Sequence, residues 1–424
     1  RDLVRARGLG DVYKRQAINY QDEWNQMFRE AWRLQKEFFW NEQLSGVDWN
    51  PVYRRYENQL TRIGSRSELS DLIWEMQGEL GTSHAYEYGG DYPFSPQYPV
   101  GQLGADLEYE PSRKAWVFRK IYRGDIWRVH QHSPLAEPGQ QVQENDLLLE
   151  IGGVPLDGST SPGELLVHQA GQAVQLTVKT PGKKESKRKI IVKTLIHEGK
   201  TRYREWVKQN LKFVEAQSEG RVGYLHIPDM DTEGIAEFHR GFLSQVDREG
   251  LIIDARFNAG GWVSPLVLEK LTHRHLGYDV PRWGSPESYP YHTLRGHLVL
   301  ITNQFTGSDG DMFTASFKQL KLGKVIGKRT WGGVVGIDGR YQLVDGTTTT
   351  QPQYSIWFHH AGWSVENYGV DPDLVVEDPP QSYSNGMDHQ LKRAVEVIQK
   401  ILEEDTLPKI KDFKRSILTS FTLT

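Results

Sequence analysis

One serine offers a starting point for chemistry in this chain. Residues 303–313 read "NQFTGSDGDMF" and follow "HLVLIT", an apolar run that predicts a buried strand. As the N-cap of the next helix, Ser308 or Asp309 would only satisfy free backbone amides. As a nucleophile, Ser308 would hold its hydroxyl above a helix N-terminus, whose free N–H groups can stabilise an oxyanion. The turn by itself fits both interpretations.

A nucleophilic serine needs a base, because an alkyl hydroxyl is a poor nucleophile near neutral pH. In the C-terminal processing peptidases a lysine ends the strand after the serine helix. Here that segment reads "KVIGKRTWGGVVG": the lysine position falls on Gly333, while Lys324 and Lys328 lie earlier, on the predicted strand. The other source is His84 in "GTSHAYE", which taken alone is also typical of an ordinary turn.

The elements around the serine predict a parallel sheet. From about Thr201 the chain alternates apolar strands ("RVGYLHI", "GLIIDAR", "HLVLIT", "KVIGKRT") with amphipathic helices ("EGIAEFHRGFLSQVD", "PLVLEKLTH", "DMFTASFKQL"), and "HQLKRAVEVIQKILEE" predicts a C-terminal helix. Reactive groups in such sheets gather at the carboxyl ends of strands. The loops "FNAGG" and "TGSDG" both follow strands, so we expect them to meet.

Two further regions precede the sheet. From Ala17 to about Leu80 the period is helical: "YQDEWNQMFREAWRLQKEFF", "VYRRYENQLTRI" and "SELSDLIWEMQGEL" predict three helices, the last with Ser67 as its N-cap. From about Pro99 to Lys193 short alternating strands appear, interrupted by "SPLAEPGQQVQENDLLLEIGGVPL". This stretch resembles a PDZ domain, a module that commonly takes an extended peptide by strand addition; a β-module that only packs against its neighbours is the alternative.

Composition excludes several classes of function. The 424 residues have a net charge of -4 with mixed signs, which gives no reason to propose nucleic acid as a partner, and there are no cysteines. The 14 histidines show no metal-ligand spacing, and no apolar stretch approaches the ~20 residues of a membrane span. Residues 1–16 resemble translated adapter sequence and are left out of the fold prediction. No metal, cofactor, membrane or nucleic acid is therefore expected.

Taken together, the motifs resemble the tricorn core protease family, a group of serine peptidases of the S41 type, over nearly the whole remaining chain. The motifs that carry the resemblance are "GTSHAYE", "DARFNAGG", "GSDGD" and "VENYGVDPD". The implied fold is α+β and multidomain: a helical segment at 17–91, a PDZ-like domain at 92–198, and a crotonase-like α/β peptidase domain with a largely parallel sheet at 199–424.

The resemblance also implies a catalytic tetrad split between distant segments. Ser308 matches the nucleophile and His84 the general base, with Ser83 and Glu366 as the residues that support the base. Physically, a carboxylate acting through a hydroxyl can orient the imidazole and stabilise the imidazolium, as the aspartate does in a Ser-His-Asp triad. A turn hydrogen bond for Ser83 and an ion pair for Glu366 are the structural alternatives.

Further site residues follow from the same resemblance. The oxyanion hole would be the backbone amides of Gly261, with Gly260 as the second choice, and of Asp309. An acidic residue between the "NAGG" helix and the serine strand would favour basic or otherwise charged P1 side chains. Asp279 is the first choice for it, Glu287 competes, and an ordinary surface carboxylate is the alternative.

The resemblance implies peptide substrates, a hexameric assembly and a cytoplasmic location. Full-length members carry two β-propeller domains upstream of this region, and none is found in this sequence. Two other functions remain open on sequence grounds. A C-terminal processing peptidase would use a lysine base, and an inactive scaffold would keep the PDZ and α/β domains without catalysis.

Overall fold

The computed structural model describes residues 19–125, 128, 131–182 and 187–407. The predicted adapter segment, residues 1–16, lies outside these ranges. The described chain is α+β and multidomain: a helical segment, an antiparallel PDZ-type sheet and an α/β domain built on a parallel sheet follow one another.

The helical segment consists of three helices and one short strand: α1 Tyr20–Phe38, α2 Trp49–Glu57, α3 Arg66–Gly78 and β1 Glu87–Tyr88. Its core is a cluster of apolar side chains from all three helices, among them Met27, Phe28 and Ile73. The predicted N-cap Ser67 is wrong. Ser65 caps α3 instead, because its hydroxyl accepts the Glu68 amide while the Glu68 carboxylate accepts the Ser65 amide, which is a capping box.

The second domain is an antiparallel sheet with one short helix: β2 Ala105–Glu110, β3 Ala115–Ile121, β4 Leu147–Ile151, β5 Val154–Pro155, α4 Pro162–Leu165, β6 Ala173–Lys179 and β7 Lys187–Lys193. The strand order is β2-β3-β4-β6-β7, with β5 paired to β4. The segment "SPLAEPGQQ", which interrupts the strands, contains a 3-10 turn at Pro134–Ala136 that Ser133 caps. Leu148, Leu176 and other buried residues fill one core beneath the sheet.

The third domain contains the remaining elements. Its helices are α5 Gly199–Gln217, α6 Thr232–Gln245, α7 Ser264–Thr272, α8 Asp309–Gln319, α9 Pro380–Ser384 and α10 His389–Glu404. Its strands are β8 Val222–His226, β9 Gly250–Asp254, β10 Gly277–Asp279, β11 Glu287–Tyr289, β12 His297–Thr302, β13 Gly323–Gly327, β14 Gly336–Asp338, β15 Thr348–Thr349, β16 Gln351–Tyr354 and β17 Leu374–Val375.

The central sheet is parallel throughout, in the order β17-β13-β12-β9-β8. Helices α6, α7 and α8 pack on one face, and α5 and α10 pack on the other. Ile301 of β12 pairs with Asp254 of β9, so the two strands end side by side. The loops after them meet as predicted, and the amide of Gly307 donates to the carbonyl of Asn258 at 2.9 Å.

Residues 336–354 of the third domain, which we call the return segment, contact the helical segment. Strand β15 pairs with β1, matching Thr349 to Glu87. Buried Arg66 of α3 forms ion pairs with Glu87 and with Asp345 of the return segment. These contacts fix the loop between α3 and β1, which contains the predicted base, against a domain more than 200 residues downstream in the sequence.

Candidate active site

Ser308 lies at the N-terminus of α8 in a strained turn. Its backbone has φ 55° and ψ -121°, a conformation that non-glycine residues rarely adopt. Ser308 occupies the N-cap position, yet its side chain makes no capping hydrogen bond. The hydroxyl is thus not engaged in capping the helix that it begins, which is typical of a nucleophile on a strand–turn–helix.

The fold brings His84, Ser83 and Glu366 together in a relay. The Ser83 hydroxyl lies 2.8 Å from Nδ1 of His84 and donates to Oε2 of Glu366 at 3.2 Å. The Ser83 amide and the Thr82 hydroxyl donate to Oε1 of Glu366 at 2.7 and 3.1 Å. Because the Ser83 hydroxyl donates its hydrogen bond to the carboxylate, its oxygen can accept a hydrogen bond from Nδ1–H of His84. In that tautomer Nε2 of His84 is unprotonated and can act as a base.

The backbone of His84 is itself held in place. It has φ 62°, and its carbonyl accepts the Thr350 hydroxyl at 2.6 Å. The imidazole packs edge-on against Trp331, with ring centroids 5.5 Å apart. The same indole lies against the serine turn, because a Cβ added to Gly307 would lie 2.9 Å from Cε3 of Trp331. Trp331 therefore contacts both the base and the turn that carries Ser308.

Burial lowers the pKa of His84 below its usual 6.5, and the nearby charge of Glu366 partly opposes this effect. The imidazole is consequently neutral at neutral pH, as a general base must be. Activity that depends on this base should fall as the pH drops through the lowered pKa of His84, because protonation removes the lone pair on Nε2.

The backbone amides of Gly261 and Asp309, the oxyanion-hole candidates from the sequence, lie just before α7 and at the start of α8. Among the described residues no acceptor is found for the amides of Gly261 and Asp309. The amide of Gly260, the second choice from the sequence, donates to Oδ1 of Asn258 at 2.9 Å and is occupied. Gly260 has another role, since a Cβ on it would lie 2.4 Å from Cβ of Ser308 and 3.1 Å from the Asp309 amide.

The side chains of the remaining candidates make their hydrogen bonds and ion pairs with other residues of the described chain. Asp279 is exposed on the β10–β11 hairpin, where it faces Glu287 across the strands and accepts the Tyr291 hydroxyl at 3.1 Å. Within the described ranges neither carboxylate forms a hydrogen bond or ion pair with the serine turn. Lys328 forms an ion pair with Glu377 at 2.7 Å, so its ammonium is held by a carboxylate of its own.

Sequence reasoning missed several residues of this cluster: Thr82, Thr350, Trp331 and the carboxylate of Asp311. Only Asp311 had a local signal, as the second acidic residue of "GSDGD" in the first turn of a predicted helix. The other three act through contacts with residues far away in the chain, which no local pattern reveals.

A cavity of about 1360 Å³ lies at the opposite edge of the sheet from Ser308. It is lined by the end of α7, the start of β12 and the residues after α8, including Leu271, His297 and Lys321. Since α8 is 11 residues long, this edge is ~16 Å from the serine turn. The chemistry described above is located elsewhere.

Comparison with known proteins assigns all three domains. Residues 221–376 match the family described as "Peptidase family S41". Residues 101–197 match the "Tricorn protease PDZ domain", and residues 20–78 match the "Tricorn protease C1 domain". These matches agree with the three regions of the fold described above.

Individual relatives agree with the domain matches. The chain is 46% identical over 387 residues to a tricorn protease homolog of Saccharolobus solfataricus, covering 91% of this chain and 35% of that protein. It is 44% identical to tricorn protease homolog 1 of Streptomyces coelicolor, covering 93% of this chain and 37% of that protein. The chain thus spans well under half the length of these curated relatives.

A solved structure gives the same result for the fold. The crystal structure of the tricorn protease superimposes with a TM-score of 0.87 at 39% identity, over 91% of this chain and 37% of that one. No helix of the described residues combines the length and hydrophobicity that crossing a bilayer requires. The chain belongs to the tricorn protease family of serine peptidases and carries the family's C1, PDZ and S41 peptidase domains.

Proposed function

We propose that this chain hydrolyses peptides or unfolded protein segments by acyl-enzyme chemistry, with Ser308 as the nucleophile and His84 as the general base. The observation that carries the proposal is the relay from Glu366 through Ser83 to Nδ1 of His84, assembled from segments 283 residues apart. A surface ion pair needs no such arrangement, whereas a base that must alternate between neutral and charged forms does.

The reaction would proceed in two halves. His84 Nε2 takes the proton of Ser308 as Oγ attacks the scissile carbonyl carbon, and the amides of Gly261 and Asp309 stabilise the resulting oxyanion. Collapse breaks the C–N bond, and the imidazolium returns its proton to the leaving amine. Water, deprotonated by His84, then attacks the ester and releases Ser308 with the second product. Glu366, through Ser83, stabilises the imidazolium in both halves.

A panel of short fluorogenic peptides tests this assignment. Ser308→Ala and His84→Ala should each abolish turnover, because one removes the nucleophile and the other the base. Lys328→Ala should retain it, since that lysine is paired with Glu377. Activity that survives His84→Ala but is lost with Lys328→Ala would instead support the serine–lysine mechanism of the processing peptidases.

Asp279 is proposed as the carboxylate that selects basic P1 side chains. Its support is exposure on a hairpin, with one hydrogen bond to Tyr291 and no cation bound to it among the described residues. Asp279→Asn should lower kcat/KM for peptides with Arg at P1 by about tenfold relative to Leu at P1. Glu287→Gln, its cross-strand neighbour, is the matched control; equal effects of both changes would rule out a specific role for Asp279.

Family membership also leads us to propose a hexameric assembly and a cytoplasmic location. The large exposed side chains on the described surface, such as Trp283 and Leu276, offer apolar area for contacts between copies. Light scattering coupled to size exclusion measures the assembly directly, and a monomer at all concentrations would contradict it for this chain.

A further inference from the structure

Five consecutive backbone amides connect the nucleophile to the relay that supports the base. We call residues 331–335 the amide strap. Its first amide donates to the carbonyl of Thr306 at 2.9 Å, and the second and third donate to the Asp311 carboxylate at 2.9 and 3.2 Å. The fourth and fifth donate to Oε2 of Glu366 at 2.7 and 3.2 Å. The strap thus contacts the serine helix at one end and the His84 relay at the other.

Asp311 is the acceptor that joins the strap to the serine turn. Its side chain is fully buried in the first turn of α8, where two strap amides donate to it. The backbone of Ser308 and the side chain of Thr330 also act on this carboxylate and lower its pKa. The groups that act on it most are thus neutral donors. A buried carboxylate without a cation is unfavourable, and burial raises the pKa of Asp311 to about 6.

Asparagine, the neutral isostere, could not make these contacts. An amide side chain offers one oxygen to backbone donors and turns an NH₂ group toward a second one, whereas an ionised carboxylate offers two oxygens. Two strap amides donate to separate oxygens of this side chain, so the site is built for a carboxylate. Such a costly group at the start of the nucleophile helix calls for a function.

The strap also has little room to shift. Gly332 has φ +94°, and a Cβ there would lie 2.5 Å from the amide nitrogen of Gly369. A Cβ on Gly333 would lie 2.3 Å from the Trp331 ring, which packs on His84. Because the backbone is this closely packed, it has little space in which to absorb a displacement at Asp311 locally.

We propose that Asp311 is a positioning residue of the peptidase reaction, whose ionised carboxylate fixes the Ser308 turn and, through the amide strap, holds Glu366 and His84 in register with the nucleophile. The inference rests on the proposed function. Asp311 contacts neither substrate nor the reacting atoms; it acts through Ser308 at one end and through Glu366 at the other.

A positioning role for Asp311 makes the activity depend on pH. The other titratable groups of the site are Asp309 on the same helix, and His84 and Glu366 at the far end of the strap. Protonation of Asp311 near pH 6 replaces an acceptor lone pair with an O–H, so a strap amide loses its partner. Catalysis would therefore depend on two ionisations at low pH, His84 and Asp311, and kcat/KM should fall more steeply than a single proton allows.

The kinetic test compares Asp311→Asn with Asp373→Asn. Asp373 likewise accepts a backbone amide, that of Val325 at 2.8 Å, and it contacts Lys318 near the other end of α8. We expect Asp311→Asn to lower kcat by about 100-fold, the size of an effect on transition-state positioning, with KM within about twofold. In Asp311→Asn, the fall of kcat/KM at low pH should fit a single ionisation. Asp373→Asn should retain the wild-type kcat and the wild-type dependence of kcat/KM on pH. Wild-type kcat and an unchanged acid limb in Asp311→Asn would overturn the inference.

Amide hydrogen exchange followed by mass spectrometry tests the coupling without activity. In Asp311→Asn the strap amides and the Ser83 amide, which donates to Glu366, should exchange at least tenfold faster than in wild type. Unchanged exchange of the Ser83 amide would show that the strap does not transmit the effect of Asp311 to Glu366. If the variant does not fold, the wild-type protein supplies the same test. After correction for intrinsic exchange rates, the protection of the strap amides against hydrogen exchange should decrease below pH 6. Constant protection below pH 6 would reject the proposal.

The experiments distinguish a failure of the positioning role of Asp311 from a failure of the proposed peptidase function. If wild-type turnover were insensitive to Ser308→Ala, the peptidase assignment would fail, and Asp311 would have no reaction to serve. If turnover requires Ser308 but not Asp311, only the positioning role fails.

Discussion

At the scale of single residues, the site depends on one carboxylate that accepts five hydrogen bonds. Glu366 receives the hydroxyls of Thr82 and Ser83, the Ser83 amide and two strap amides. Charge-assisted bonds of this kind are the strong ones, and together they fix the side chain against Ser83. The base is thereby oriented by a group that is itself rigidly held.

Glu366→Gln should separate orientation from charge. The neutral amide removes the negative charge that raises the pKa of His84, so burial alone acts on the imidazole and its pKa falls further. We expect kcat to drop roughly 100-fold because the imidazolium loses its stabilising partner. The acid limb of kcat/KM should move to lower pH. A profile of kcat/KM against pH checks this, and a limb that moved upward would show that Glu366 does not act on His84.

At the scale of elements, the site depends on how closely two loops approach. The "FNAGG" loop after β9 and the "TGSDG" loop after β12 are joined where Asn258 accepts the Gly307 amide. Asn258 is fully buried, and its side chain also holds the Gly260 amide and the Ile227 carbonyl. Contacts of Asn258 with three backbone groups thus fix the spacing between the proposed oxyanion donors and the proposed nucleophile.

Gly260→Ala should abolish activity through this spacing. The added Cβ would lie 2.4 Å from Cβ of Ser308, and the glycine has φ +88°. Gly153→Ala is the control, since Gly153 has φ +83° but no atom within 4 Å of an added Cβ. Both changes carry the backbone strain of about 1 to 2 kcal/mol, whereas only Gly260→Ala displaces the nucleophile. Peptide turnover and thermal unfolding of both variants check this, and equal turnover would contradict the model of the loops.

At the scale of the whole molecule, the proposed mechanism requires the helical segment to remain docked on the peptidase domain. Arg66 is central to that contact: its side chain is buried between Glu87 and Asp345, and its guanidinium also donates to the Thr347 hydroxyl at 2.5 Å. Thr350, three residues after Thr347, donates its hydroxyl to the His84 carbonyl. Loss of docking would separate the base from the nucleophile even if each domain remained folded.

Arg66→Met should destabilise the folded chain by about 3 to 5 kcal/mol, because it leaves two buried carboxylates without their cation. Arg33→Met is the matched control. Arg33 pairs with Glu30 and Glu37 on an exposed helix face, and such pairs are worth about 0 to 1 kcal/mol. Urea unfolding followed by circular dichroism and by peptide turnover checks both. Similar midpoints for the two variants would show that the buried pair does not hold the segments together.

The sequence was sufficient for most individual elements. Strands β8, β9, β12 and β13 and helices α6, α7, α8 and α10 lie where hydrophobic periodicity placed them. Periodicity failed where the signal was weak: the helix predicted to run through residue 63 ends at Glu57, and α5, the β10–β11 hairpin and the return strands were not foreseen. The N-cap of α3 was misplaced because two serines, Ser65 and Ser67, precede the same apolar pattern.

What the sequence determined by itself was the set of reactive groups and the family to which their motifs belong. Side-chain chemistry and local spacing are written in the chain, so Ser308, His84, Ser83 and Glu366 could be named as candidates. Which of them touch was decided only by the tertiary structure, because contacts across 283 residues depend on how domains pack and not on local propensity. The same holds for the strap amides and the buried carboxylate of Asp311: backbone donors carry no sequence signature, and their partners exist only once the loops are packed together.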